Sequence, residues 1–148
     1  RGSQQNRIDL LLFNTATRQL RFYEAKHYSN AELWAAHKAT PRVADQMKRY
    51  QKILSSVQKQ NEIVAAYSNY VNTMNQVFRG PGFKPLPPPT SVDPTAVLFV
   101  FGYDRGQEDR LKKLLINHPR LKGCRLLRKG NTKGLSAFAL WKNVRTIP

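Results

Sequence analysis

The chain has 148 residues, 41% of them hydrophobic, which suits one domain with a single core and argues against disorder throughout. Lysine and arginine total 25 against 9 acidic residues, for a formal charge of +16. A field of that sign attracts polyanions, so nucleic acid is the expected partner ahead of an anionic membrane or an acidic protein.

No stretch approaches the ~18 to 20 apolar residues of a membrane span, and no secretory signal opens the chain. The one cysteine, Cys124, excludes an internal disulfide and a cysteine zinc cage. His27, His37 and His118 are too scattered for a zinc motif. A reducing, cytoplasmic location is expected. Arg1–Asn6 leads almost directly into a strand, so further chain upstream is expected too.

Ile8–Phe13 is a short apolar run with polar flanks and reads as a buried strand. Asn14–Arg18 is a polar turn. Gln19–Lys26 alternates, with Leu20 and Phe22 on one face and Arg21 and Tyr23 on the other, so the two segments form an antiparallel hairpin. Ser29-Asn30-Ala31-Glu32 is a capping box opening a short helix. Thr40-Pro41 restarts the helix, with Thr40 as cap. Apolar residues then recur at helical spacing from Val43 through Met47, Tyr50, Leu54 and Val57 to Val64, Tyr67, Val71, Met74 and Phe78. Ser55-Ser56 and Gln60-Asn61 are two candidate breaks.

Arg79–Pro94 is rich in proline and glycine and reads as a semi-rigid surface loop. Ala96–Phe101 is a buried strand. Asp104–Asn117 is an amphipathic helix with Leu111, Leu114 and Leu115 inward. Cys124–Leu127 and Ser136–Trp141 read as strands, and a hairpin through Gly130-Asn131 is one way to join them. The order implies an α/β domain with a mixed sheet, since a real first hairpin excludes a fully parallel one.

Asp9, Glu24 and Lys26 sit in strands that otherwise look buried. Burying a carboxylate without compensation costs roughly several kcal/mol, so these charges need partners. A register in which paired residue numbers sum to about 33 places Asp9 opposite Glu24. Two adjacent carboxylates repel unless a cation lies between them, and hard oxygen ligands suit Mg²⁺ or Mn²⁺. Lys26, two residues along the same face, falls near that cation. Metal, water and ammonium are the parts of phosphodiester hydrolysis. A solvent-facing salt bridge at a strand end is the plainer reading of Glu24 and Lys26.

An Asp followed on the next strand by Glu24-Ala25-Lys26 resembles the P-D-(D/E)-x-K, or restriction-endonuclease-like, nuclease superfamily. Gln46-Met47-Lys48-Arg49-Tyr50 on the following helix is similar to the Gln-x-x-x-Tyr motif of its RecB-like branch, with Gln46 and Tyr50 one turn apart. The resemblance covers residues 8 to about 101. It implies a restriction-endonuclease-like mixed sheet flanked by helices, without the family's first helix, and with Ile8 in place of the motif proline. It implies that Asp9, Glu24 and the Ala25 carbonyl hold Mg²⁺ or Mn²⁺. Lys26 positions the water, and Gln46 and Tyr50 order the site or contact substrate. DNA is the expected substrate ahead of RNA.

Lys48 and Arg49 flank that helix face, and Arg128, Lys129 and Lys133 belong to a basic group around Gly130–Gly134. These five are the expected nucleic-acid contacts, although solvation alone explains any one of them equally well. Trp34 and Trp141 fit a core role better than base stacking. The parity of His27 points it away from Lys26. Two alternatives stand beside the nuclease: an inactive nucleic-acid-binding module on the same fold, and a basic protein-interaction domain.

Overall fold

The fold is taken from a computed structural model that describes residues 7–35 and 39–148; His37 and Arg1–Asn6 lie outside the described residues. The first turn is built by its own side chain. The Asn14 carboxamide oxygen accepts from the amides of Ala16 and Thr17 at 3.0 and 3.1 Å, and Arg18 adopts a φ of 56°. This turn joins β1 (Leu10–Asn14) to β2 (Gln19–His27) as an antiparallel hairpin, with Leu10 opposite Tyr23. Continued by one step, that register sets Asp9 opposite Glu24.

After β2, the chain makes one 3₁₀ turn at Ala31–Leu33, then α1 (Arg42–Leu54) and α2 (Val57–Val77). The long excursion allows β3 (Ser91–Val92) and β4 (Val97–Phe101) to return parallel to β2, which a tight turn forbids. Next come α3 (Glu108–Leu111), β5 (Arg125–Lys129), α4 (Ala137–Lys142) and β6 (Arg145–Thr146). The six-stranded mixed sheet runs β1-β2-β4-β5-β6, with β3 beside the start of β2. Helices flank it. Among the described residues, no helix is long and apolar enough to cross a membrane.

Strand alternation divides the core between two faces. In front, Leu20, Phe22, Leu98, Val100 and Leu126 pack with Val43, Met47, Tyr50 and Leu54 of α1 and with Leu111 and Leu115. Behind, Tyr23, Val97, Phe99 and Leu127 pack with Leu140 of α4.

Several expectations need correction. Ile8–Phe13 is not a buried strand: β1 begins at Leu10, is half-buried throughout, and leaves Asp9 exposed in a bend, because it is an edge strand. Ser136–Trp141 is a helix. The Ser136 hydroxyl caps it, accepting from Ala139 N–H at 3.1 Å, so no hairpin forms through Gly130-Asn131 and β5 pairs with β6 instead. A five-residue apolar run fits either period, and the cap decides it here.

The helix expected over Asp104–Asn117 is shorter, and it widens to a π-turn over Lys112–Ile116, where Asn117 N–H reaches the Lys112 carbonyl at 3.0 Å. That turn leaves Leu114 43% exposed while Leu111 and Leu115 are fully buried.

The caps differ as well. Asn30, not Ser29, caps the 3₁₀ turn, and Pro41, not Thr40, stands at the α1 N-cap without a side-chain bond. The break between helices falls at Ser55-Ser56. Ser56 caps α2, and the Gln60 carboxamide donates to the Leu54 carbonyl at 2.6 Å. Of the apolar residues at helical spacing along α2 only Val71 is buried, and Phe78, just past its end, is largely exposed. The loop Arg79–Pro94 ends inside the protein, at Val92 and Asp93.

The π-turn makes a prediction that the regular helix does not. Leu115→Ala should cost about 2–5 kcal/mol in urea unfolding, as for a large-to-small change in a core. Leu114→Ala should stay within about 0.5 kcal/mol of the parent. Equal losses for the two variants would restore the regular helix.

Candidate active site

β2 is hydrogen-bonded on both sides and covered on both faces, yet its front face carries Glu24 and Lys26. Glu24 is 1% exposed and Lys26 8%. Lys26 Nζ lies 2.6 Å from Glu24 Oε1 and 2.6 Å from Glu32 Oε2, so one ammonium bridges two carboxylates. Glu24 Oε2 is buried and has no hydrogen-bond partner among the described residues. Such an orphan acceptor costs about 1–3 kcal/mol or more, and its retention points to a use for it.

Asp9 lies across the hairpin. One of its carboxylate oxygens accepts the Ala25 N–H at 3.0 Å, which continues the ladder beyond the last β1 backbone pair. Asp9 shares the parity of Leu11 and Phe13, so it stands on the front face with Glu24. Burial pushes the Glu24 carboxyl above its ordinary range and the negative Asp9 adds to that; hydrogen bonding and attraction from Lys26 oppose it without cancelling it. Burial works against the charge on Lys26, but its hydrogen bonds to Glu24 and Glu32 outweigh this and hold its pKa above the usual lysine value.

Gln46 and Tyr50 arrive from α1. The Gln46 carboxamide donates to the Tyr50 hydroxyl at 3.1 Å, and that hydroxyl donates to the Arg7 carbonyl. Tyr50 thus ties down the chain two residues before Asp9. It is also close enough to Glu24 for each to influence the other's ionisation. Burial raises the Tyr50 pKa; Gln46 opposes this, and the negative Glu24 and Asp9 reinforce it. Gln46 and Tyr50 therefore order the site through the backbone, whatever else they touch.

Asp9, Glu24, Ala25, Lys26, Gln46 and Tyr50 are brought together, but the five basic candidates are not. Lys48 lies on the side of α1 opposite Gln46 and Tyr50, where it lines a groove, so it does not flank the active-site helix face; Arg49, three residues after Gln46, stands at the border between that face and the groove it also lines. Arg128 is in register with Lys26 through Val100 and shares its face, but it is half-buried and paired with Glu108 at 3.4 Å. Lys129 has the parity of Leu127, on the rear face, and Lys133 sits in the turn beyond β5.

His27 points away from Lys26, against Gly102. That glycine has a φ of 77°, and a Cβ there would meet the His27 ring at 2.2 Å. The tryptophans are committed to the fold. Trp34 Nε1 donates to the Tyr28 carbonyl at 2.9 Å, and its ring carries the Arg110 guanidinium; the Trp141 ring carries that of Arg21.

Two features escaped sequence reasoning. Glu32 reads as the acid of a capping box, but its carboxylate goes to Lys26; its spacing on the turn after Lys26 was the available signal. On the rear face, Asp93 accepts from Arg21 Nε at 2.7 Å and also binds Arg125, with Asp93 and Arg21 both buried. Nothing in the proline-rich loop marks Asp93 as the partner of an arginine on β2.

Among the described residues, no group of three or more histidine, cysteine or acidic side chains forms a metal cage. Mg²⁺ needs none. It keeps several waters and is commonly held by one or two carboxylates, which Asp9 and the unpartnered Glu24 oxygen supply. The residues present fit such an ion.

Tyr50→Phe should loosen the tether: about 1 kcal/mol of stability is lost, and hydrogen exchange at the Ala25 amide speeds up as Asp9 shifts. An Ala25 amide that stays as protected as in the parent would show that Tyr50 does not place Asp9. A second expectation follows from the raised Glu24 pKa. Its contribution to stability is full below the unfolded value of about 4.3 and is lost as pH rises through the folded value. Glu24→Gln is uncharged throughout. Melting curves from about pH 4 to 8 should therefore show the variant gaining on the parent as pH rises. A gap that does not widen would mean that Glu24 is not raised.

No family model, no curated protein and no solved structure matches this chain, so the geometry of the site is what speaks for its function.

Proposed function

We propose that this chain is a metal-dependent nuclease domain of restriction-endonuclease-like type, acting on DNA in preference to RNA, inside the cell. The observation that carries the reading is the buried Glu24 oxygen, without a hydrogen-bond partner among the described residues, beside Asp9 and Lys26. Two carboxylates and an ammonium, gathered on one face of a hairpin in a chain of charge +16, suit a phosphodiester better than a neutral substrate. Asp9 and Glu24, with the Ala25 carbonyl, would hold Mg²⁺ or Mn²⁺. The ion supplies Lewis acidity toward a phosphate oxygen and a water molecule.

The roles of the chain's own residues follow from their positions. Lys26 offers an ammonium to the phosphate or to the attacking water. Glu32 would hold that ammonium on station with the free Glu24 oxygen given to an ion, because it already binds the other side of the Nζ group. Tyr50 and Gln46 fix the segment that carries Asp9. The second reading, a silent nucleic-acid-binding module, is favoured by one observation: Lys26 is fully engaged between Glu24 and Glu32, a stable ion-pair arrangement without any metal.

Asp9→Ala separates the two. Changes around a metal's ligands typically cost about 10–100-fold in affinity or activity, so loss of a ligand should lower cleavage of labelled DNA by about 100-fold or more. Binding of the same DNA should persist or strengthen, since a negative charge near the phosphates is removed. Chelation should stop the wild-type protein. Equal cleavage by both proteins would remove Asp9 from the site, and absence of cleavage in both, with binding intact, would favour the silent module.

A further inference from the structure

On the side of α1 away from Gln46 and Tyr50 lies a groove of about 750 Å³, walled by α1 and by the segment leading into β5. Its rim is cationic: Lys48, Arg49, Lys52, Arg120 and Lys122 line it, against one acid, Asp45. Five cations among 14 lining residues is about twice the share in the whole chain, so the groove is basic beyond the background. All five are exposed, and none pairs with a carboxylate among the described residues. The floor is apolar. Ala44, Met47 and Ala96 are buried there, and Cys124 is half-buried.

We propose that this groove binds an acidic amphipathic peptide segment of a partner protein. An apolar side chain has room over the small Ala44 and Ala96, and glutamates or aspartates beside it meet both cationic walls. Lys48 and Lys52 stand one turn apart on α1 and present a row of charge along one wall. Their stems extend the apolar surface while their ammonium groups stay in water. A helix lying in such a groove uses apolar anchors at helical spacing with acids between them.

Nucleic acid fits less well. No aromatic side chain lines the groove to stack a base. Gln51, the one carboxamide there among the described residues, already donates to the Pro94 carbonyl at 3.1 Å. Phosphates alone would engage the rim and leave the floor unfilled. The site is independent of the nuclease centre and stands or falls separately from it.

The test uses a fluorescein-labelled peptide with leucine at positions i, i+3, i+4 and i+7 and glutamate elsewhere. Two control peptides replace leucine by serine or glutamate by glutamine, and a single-stranded oligonucleotide of equal charge is a third competitor. Anisotropy reports affinity for the full chain. N-ethylmaleimide alkylation of Cys124, the only cysteine in the chain, reports occupancy of the floor.

The parent peptide should bind at least about tenfold tighter than either control and slow alkylation by a similar factor. Lys48→Glu with Lys122→Glu should weaken binding about tenfold or more. If that variant melts early, Lys52→Glu alone and wild-type protein alkylated beforehand give the same comparison. Three outcomes overturn the proposal: equal binding of the serine peptide, unprotected Cys124, or protection of Cys124 by the oligonucleotide as strong as by the peptide. The last would assign the groove to nucleic acid.

Discussion

Two charges buried on the front face of β2 constrain much of the rest. β2 is paired along both edges and covered on both faces, a position where an ionised side chain is tolerated only if its partners are built in. The carboxylate of Glu24 and the ammonium of Lys26 neutralise each other, and Glu32 is brought up from the following turn to complete the set. Removing one partner from such a group typically costs about 3–5 kcal/mol, because the remaining charge stays buried. Replacing the whole set by apolar residues would often cost less. Stability alone does not explain why charges stand here.

The rear face shows the contrasting solution. Arg21 is as buried as Lys26, but its partner Asp93 comes from the end of the proline-rich loop and also receives Arg125 from β5. The second side of the guanidinium reaches the Trp141 carbonyl at 2.9 Å and lies over the Trp141 ring. The described hydrogen bonds engage Nε and Nη1 of the arginine, both oxygens of Asp93, and the Tyr23 hydroxyl, which donates to the Leu140 carbonyl at 3.1 Å. This network ties the loop, two strands and α4 together. Every buried polar atom of it has a partner, whereas the front face leaves one oxygen of Glu24 open. That difference separates a structural ion-pair network from a site with capacity to spare.

The hairpin and its register were legible in the sequence because both rest on local signals: Asn14 in the turn, and alternation of Leu20 and Phe22 with Arg21 and Tyr23. The gathering of Asp9, Glu24 and Lys26 followed from that register, and Gln46 with Tyr50 followed from helical spacing. What was not legible depends on tertiary partners. Leu114 is expected inward from helical spacing with Leu111 and Leu115, but in the widened turn at Lys112–Ile116 it is 43% exposed. Ser136–Trp141 has a pattern short enough for strand or helix. Lys48 lies close in sequence to Gln46 but on the other side of the same cylinder, so proximity along the chain misplaced it. Glu32 and Asp93 reach their partners across loops whose path no periodicity encodes.

The two faces of β2 are interleaved residue by residue, and this bears on how the gene tolerates change. Substituting a single codon between Leu20 and Lys26 disturbs one face and leaves the other in register. Deleting Phe22 or Tyr23 moves every later side chain of the strand to the opposite face, so Glu24 and Lys26 would turn toward the rear while Arg21 keeps its place in the arginine network. In a library of in-frame deletions this strand should be among the least forgiving segments, while the turn at Asn14–Arg18 and the exposed residues Asn131–Lys133 absorb length changes more readily.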